Sequence, residues 1–208
     1  NEHKLVLPMP GRFNVANALV ALAVSELAGL PIEDALAGIA HVVVPGRLQR
    51  IDEGQDYLAI VDYAHKPAAV AAVIATLRSE IKGRLCVVLG AGGDRDASKR
   101  VIMGREAARG SDLFIVTDDN PRSEDPAVIR AAVEAGAYEL PTEERGEVRN
   151  IGDRAAAIRA AIAWAEPGDA VLVAGKGHET GQNVNGVIHH FDDREVRAAL
   201  QERRTGSL

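Results

Sequence analysis

In Leu85-Cys-Val-Val-Leu-Gly-Ala-Gly-Gly-Asp-Arg-Asp96 an apolar run gives way abruptly to glycine and charge, and the architecture of the chain follows from that change. Five apolar residues in a row, Leu85–Leu89, show no alternation of faces, and the run ends at once in glycines and charge. A strand wetted on one side alternates apolar with polar; a short unbroken run suits a parallel strand covered on both faces. Runs of the same form lie near Leu58–Val61, Leu113–Val116 and Ala170–Ala174. Between them Val70, Val73, Ile74 and Leu77 fall at i, i+3, i+4 and i+7. So do Ile129, Ala132, Val133 and Gly136, and again Ile158, Ala161, Ile162 and Ala165. That spacing lines one face of a helix. Strand, polar cluster and helix in strict succession define an α/β fold, a mostly parallel sheet with helices on both faces.

The ends of the chain depart from this rhythm. Val184–Phe191, with Asn-Gly at 185–186, reads as a closing hairpin, and Asp192–Arg204 as a final helix. At the other end Asn14–Gly29 carries Val15, Leu19, Leu22 and Ala23 at helical spacing and stops at Gly29 and Pro31. A shorter helix, about Ile32–Ala40, follows. In Val42-Val-Val-Pro-Gly-Arg47 the Pro-Gly pair breaks regular structure and marks a domain boundary. The expected division is therefore 1–44 and 45–208, the first segment being too small to be a domain by itself. The opening Asn1-Glu-His-Lys-Leu-Val-Leu7 reads like the inside of a longer protein, so a fragment or processed chain is expected.

With 208 residues, 47% of them apolar and 26% charged, the chain can bury a good core. Aromatic residues make up only 3%, which favours tight helix-on-sheet layers. A net charge of -6 with dispersed Lys and Arg argues against a general nucleic-acid binder. No apolar run approaches the ~20 residues needed to cross a bilayer. The single cysteine, Cys86, lies inside an apolar run and reads as a small buried hydrophobe.

In open α/β sheets ligands bind beyond the carboxyl ends of the strands. All four runs end in chemistry: Asp62-Tyr-Ala-His-Lys-Pro67, Gly90-Ala-Gly-Gly-Asp-Arg-Asp96, Thr117-Asp-Asp-Asn-Pro-Arg122 and Gly175-Lys-Gly-His-Glu179. Each alone has an ordinary explanation. Gly90–Gly93 can be a tight strand-to-helix turn, Asp94 or Asp96 a helix cap, and Asp118–Pro121 common turn chemistry. Four clusters on one rim instead point to one cleft lined by Asp62, His65, Arg95, Asn120, Arg122, Lys176, His178 and Glu179. The G-x-x-x-x-G-K-[ST] phosphate loop is absent, and Gly90-Ala-Gly-Gly-Asp-Arg95 fails the dinucleotide fingerprint.

Taken in order, these clusters resemble the Mur ligase family of peptidoglycan synthesis, and within it the branch that adds meso-diaminopimelate. Gly11-Arg-Phe-Asn-Val-Ala-Asn17 is similar to the segment closing the family's central ATP-binding domain, and Val44-Pro-Gly-Arg47 to the junction with its Rossmann-like C-terminal domain. The last two rim clusters carry the most specific likeness. The resemblance implies that 1–44 is a remnant of the central domain and 45–208 the C-terminal, amino acid-binding domain. It implies nucleotide contacts from Asn14, Asn17, Arg47, Asp62 and His65. It implies a diaminopimelate pocket of Arg95, Asp119, Asn120, Pro121, Arg122, Gly175 and Glu179. Arg122 and Asn120 would grip the distal carboxylate, Glu179 and the Gly175 carbonyl its ammonium, and Arg95 a further carboxylate.

Lys176 and His178 receive no role, and Lys66 stands where the family commonly has Thr. ATP and Mg²⁺ are the implied cofactors, with the phosphate loop and metal ligands expected upstream, so no catalytic or metal-binding residue is assigned in this chain. The implied partners are meso-diaminopimelate, ATP and UDP-N-acetylmuramoyl dipeptide, and the implied location is the bacterial cytoplasm. A folylpolyglutamate or cyanophycin-type synthetase is a second reading, against which Asp119–Arg122 with Glu179 speaks. A non-catalytic amino acid-binding module is a third.

Overall fold

The computed structural model describes residues 3–207. The chain forms two compact units, Asn1–Pro45 and Gly46–Leu208. In the first, α1 (Arg12–Leu27) and α2 (Ile32–Ala40) are separated by Gly29, at φ 78°, and by Pro31 at the start of α2. The helical spacing is real, but Val15 and Leu19 are exposed, and in α1 only Asn14 and Ala18 are buried. Two short helices cannot enclose a core.

The second unit is built on a six-stranded sheet of order β1-β2-β6-β3-β4-β5. Its strands are β1 (Gln49–Ile51), β2 (Leu58–Asp62), β3 (Leu85–Leu89), β4 (Leu113–Val116), β5 (Glu147–Asn150) and β6 (Ala170–Ala174). All neighbours are parallel except β1, which runs antiparallel along β2. Asp62, Ala174, Leu89, Val116 and Asn150 stand in register, so five strands end on one line. That line makes the rim for the loops that follow.

The helices α3 (Pro67–Glu80), α4 (Ser98–Gly110) and α5 (Pro126–Tyr138) cover one face, where Val70, Met103 and Val133 meet Val87, Leu89 and Phe114. The other face carries α6 (Arg154–Trp164) and α7 (Val196–Thr205), whose Ile158, Ile162 and Leu200 meet Cys86, Val88 and Val173. Leu85, Val87 and Leu89 thus point one way and Cys86 and Val88 the other, all fully buried, which is why the run shows no polar alternation. The thiol of Cys86 is pushed up by burial. α4 and α5 cross with almost no space between their backbones. A Cβ at Gly104 would fall 1.7 Å from the Val133 carbonyl, and one at Gly136 1.8 Å from the Val101 carbonyl.

Three features differ from the expected elements. β1 and β5 were not expected, because edge strands are short and here carry mainly polar residues. The final helix is preceded by a 3₁₀ turn, Asp193–Glu195. The hairpin is β7 (Gly181–Val184) and β8 (Val187–His190), turned by Asn185 and Gly186 at φ 50° and 81°. Two left-handed residues in a two-residue loop match the twist of the paired strands. Among the described residues no helix is long and apolar enough to cross a membrane.

Candidate functional site

A cleft of about 400 Å³ opens on the rim beyond β2, β3, β4 and β6. Arg95, Asp119, Asn120, Arg122, Gly175 and Glu179 line it, with Tyr63 and His65 on the β2 side. A broader depression of about 500 Å³ runs along β1 and α7. Its arginines are already matched, Arg194 with Asp192 and Arg197 with Glu53, and His190 Nε2 lies 3.1 Å from a Glu195 carboxylate oxygen.

The loop after β2 is held by its own aspartate. Asp62 is buried, and its two carboxylate oxygens accept the backbone N–H groups of Leu48 and Ala64, each at 2.7 Å. Burial pushes the Asp62 carboxyl above the usual range, against the pull of these amides and of Arg47. Arg47 stacks over the Tyr63 ring at 4.4 Å, and His65 and His178 flank the same ring at 4.6 and 5.3 Å. Arg47 and His65 are among the residues expected at the nucleotide; Tyr63, the aromatic platform that gathers them, carries no such signal in the sequence.

The turn after β4 carries Arg122 in the left-handed region, at φ 53°. A non-glycine residue keeps that conformation only where its surroundings dictate it. Here the hairpin does so: the Arg122 N–H donates to the Asn183 carbonyl at 2.9 Å, and the Asn185 N–H donates back to the Arg122 carbonyl at 2.6 Å. The guanidinium reaches across to the Gly93 carbonyl at 2.7 Å and the Asn120 carbonyl at 3.5 Å. Among the described residues it has no carboxylate partner. Gly92 leaves room for it, since a Cβ there would lie 2.8 Å from Nη1. Asp118, four residues upstream, is paired with Arg130 and not with Arg122. Asp119 lines the cleft without a side-chain hydrogen bond or ion pair among the described residues.

The glycine loop after β3 is tied to that turn by groups the sequence did not reveal. Arg100 in α4, 4% exposed, grips Glu124 through Nη2 and Nη1 at 2.7 and 2.8 Å and donates to the Gly92 carbonyl at 3.2 Å. Arg100 beside it, with the Asp94 N–H, holds the Glu124 carboxyl below the usual range. Pro121 does not line the cleft; its carbonyl sits where a Cβ at Gly93 would be, 1.9 Å away, so this proline packs the two loops together. Arg95 is exposed at the cleft mouth.

The loop after β6 turns at Gly175 and Gly177, at φ 116° and 56°. A Cβ at Gly175 would stand 2.9 Å from the Asp119 carboxylate. Lys176 is fully buried, with Nζ 3.3 Å from Asn120 Oδ1 and 3.5 Å from Glu179 Oε2. Asn120 Nδ2 donates to Glu179 Oε2 at 3.0 Å. Under this floor Arg154 pairs with Asp193 and donates to the Ala174 and Asp118 carbonyls at 2.8 and 3.3 Å. Asn14 and Asn17 belong to the first unit, where Asn14 Nδ2 donates to the Pro10 carbonyl and Asn17 Nδ2 to Asn14 Oδ1. Among the described residues no group of three or more His, Cys, Asp or Glu is placed to hold a metal ion.

The family model described as "Mur ligase, glutamate ligase domain" matches residues 46–177, and the chain belongs to that family. It is 60% identical, over its whole length, to 41% of the UDP-N-acetylmuramoyl-L-alanyl-D-glutamate--2,6-diaminopimelate ligase of Corynebacterium glutamicum. The ligase of the same name from Streptomyces avermitilis is 56% identical over 94% of this chain and 39% of its own length. A solved structure of a ligase of that name aligns with a TM-score of 0.73 and 39% identity, over 96% of this chain and 40% of that one. The Mycobacterium tuberculosis folylpolyglutamate synthase, solved with ADP and AMPPCP, shares the fold at a TM-score of 0.62 and 24% identity over 97% of this chain and 42% of its own. The chain thus spans about two fifths of the length of the curated relatives it matches.

Proposed function

We propose that the second unit is the amino acid-receiving part of an ATP-dependent ligase of bacterial peptidoglycan synthesis, joining meso-diaminopimelate to UDP-N-acetylmuramoyl-L-alanyl-D-glutamate in the cytoplasm. The observation that carries this is Arg122. Its guanidinium borders the cleft, is held among the described residues only by backbone carbonyls, and stands beside the Asn120–Glu179 pair. A cation left without a counter-charge inside a rigid turn is suited to a carboxylate brought by a ligand. Glu179, Asp119 and the Gly175 carbonyl would accept the neighbouring ammonium. Arg95 at the mouth would meet a second carboxylate. Diaminopimelate, with an amino acid centre at each end, supplies all of these groups.

Within this unit the nucleotide would be met by Arg47, His65 and Asp62; Asn14 and Asn17, the other residues expected at the nucleotide, belong to the first unit. Asp62 mainly shapes its loop and offers the ribose its remaining lone pairs. Mg²⁺ would be held chiefly by the nucleotide phosphates and by other parts of the ligase. ATP would activate the glutamate carboxylate as an acyl phosphate. This chain's residues would hold the attacking amine's parent molecule in one pose, which is catalysis by positioning.

Calorimetric titration of the intact ligase with meso-diaminopimelate and with L-lysine tests the assignment. Lysine lacks one carboxylate, and a charge-assisted bond lost to it corresponds to at least about 10-fold weaker binding. Equal binding of the two would sink the proposal.

A further inference from the structure

Lys176 is the one cation of the rim clusters that no ligand can touch, being fully buried beneath the cleft. A buried ammonium is costly unless it is paired, so its neighbours say what it is for. Those neighbours are Asn120 Oδ1 at 3.3 Å and Glu179 Oε2 at 3.5 Å, both from residues that line the cleft.

The amide of Asn120 has a donor end and an acceptor end, and which end meets a ligand depends on what holds the other. Oδ1 receives the Lys176 ammonium and also the Asn183 backbone N–H at 2.8 Å. Both are pure donors, so the carbonyl must point to the floor and the NH₂ group to the cleft. Nδ2 spends one hydrogen on Glu179 Oε2 at 3.0 Å, and the other remains. Glu179 gives Oε2 to Asn120 and Lys176, and among the described residues its Oε1 has no partner. One amide N–H and one carboxylate oxygen therefore stand side by side. They complement the carboxylate and the ammonium of an amino acid centre in a single orientation.

Given that the cleft receives an amino acid, as proposed above, we propose that Lys176 is the positioning residue that sets this donor–acceptor polarity through Asn120 and Glu179. Without the ammonium, Asn120 keeps only the Asn183 N–H on its carbonyl. Glu179 then faces the cleft as an uncompensated charge held only by the Asn120 amide among the described residues. The pocket would still exist but would cease to discriminate one end of the zwitterion from the other.

The test is steady-state kinetics of the intact ligase carrying Lys176→Met, which keeps the length and removes the charge, with Lys176→Gln as the second variant should the first not fold. KM for meso-diaminopimelate should rise about 10-fold or more, the scale of a lost bond to a charged group. KM for ATP and for the UDP-muramoyl dipeptide should stay within about 2-fold, well inside that scale. A merely structural lysine would instead lower the melting temperature and the active fraction, reducing kcat and leaving KM for diaminopimelate alone. That result overturns the proposal. Because Lys176 acts through Glu179, Lys176→Met should add little to Glu179→Gln; additive effects on KM overturn it equally. If the wild-type ligase shows no binding of meso-diaminopimelate in calorimetry, the cleft assignment itself fails. If wild type and variant bind it equally, only the role of Lys176 does.

Discussion

Arg154 and Asp193 meet as a fully buried pair, Nε to Oδ1 at 2.7 Å and Nη2 to Oδ2 at 2.8 Å, and the same guanidinium holds the carbonyls of Ala174 and Asp118. The turn that leads into α7 is thereby joined to the ends of β4 and β6. Removing one partner leaves a bare charge in the interior, a loss of roughly 3–5 kcal/mol. Asp193→Ala should therefore lower stability by that amount in urea unfolding. Arg154→Met with Asp193→Leu should recover most of it, since replacing both charges with apolar groups is often near neutral.

Arg122→Ala in the intact ligase should reduce kcat/KM for meso-diaminopimelate by about 10- to 150-fold, the range of a charge-assisted bond of roughly 1.5–3 kcal/mol. The apparent affinity for ATP should barely change. An arginine that merely caps a surface turn would lose little on truncation, so wild-type efficiency with an unchanged preference over lysine would remove Arg122 from the pocket.

Gly136→Ala should destabilise the second unit although alanine is the better helix former. The added carbon would lie 1.8 Å from the Val101 carbonyl, and only a separation of α4 from α5 relieves that. Overpacking of this kind costs about 1–3 kcal/mol, against a helix-propensity gain of up to about 1 kcal/mol. A raised melting temperature would show that the two helices do not cross this closely.

Stability should fall on acidification. Burial works against ionisation of Asp169 and Asp192, but Arg84 and Arg194 with nearby backbone amides outweigh it and hold both carboxyls below 3.8, the ordinary value. Arg100 does the same for Glu124, whose ordinary value is 4.5. A depressed carboxyl binds its proton more weakly in the folded state, so its contribution is complete above the ordinary value and is lost as pH falls through the depressed one. Asp62 works the other way: burial raises it, so its ionisation costs stability as pH climbs from 3.8 to the raised value. The depressed groups are more numerous. Thermal melts should decline below about pH 4.5, and Asp169→Asn should flatten that decline.

The 208-residue chain by itself should neither hydrolyse ATP nor form an amide bond, because its sequence contains no G-x-x-x-x-G-K-[ST] loop. Phosphate release would be followed with ATP, UDP-muramoyl dipeptide and diaminopimelate. Substrate-dependent turnover by the purified chain would contradict the division of labour proposed for it.

The parallel strands and most of their helices are legible because burial on both faces leaves Val, Leu and Ile nowhere to alternate with polar residues. β5 escapes notice for the opposite reason: Glu147-Val-Arg-Asn150 is an edge whose single apolar side chain carries no pattern. α4 is obscured by its charges, and one of these, Arg100, turns out to be buried. The rim clusters could be read as sites because glycine and charge gather where strands end. What the sequence conceals is partnership at long range. Nothing near Arg154 indicates Asp193, nothing near Asn120 shows that a lysine 56 residues later sits beneath it, and Tyr63 reveals its place only once Arg47 folds over it.

β2 and β3 follow one another in the chain yet share no hydrogen bonds, because β6 lies between them and pairs with both. A polypeptide emerging from the ribosome therefore lacks the middle strand of its sheet until Ala170–Ala174 has emerged. Closing that gap demands contacts between segments far apart in sequence, which form slowly. Lys176 and Glu179 lie in the loop that follows the strand filling it. The pocket is consequently among the last features to come into being on a nascent chain, and a ribosome stalled before Ala170 would display the flanking loops without a floor to join them.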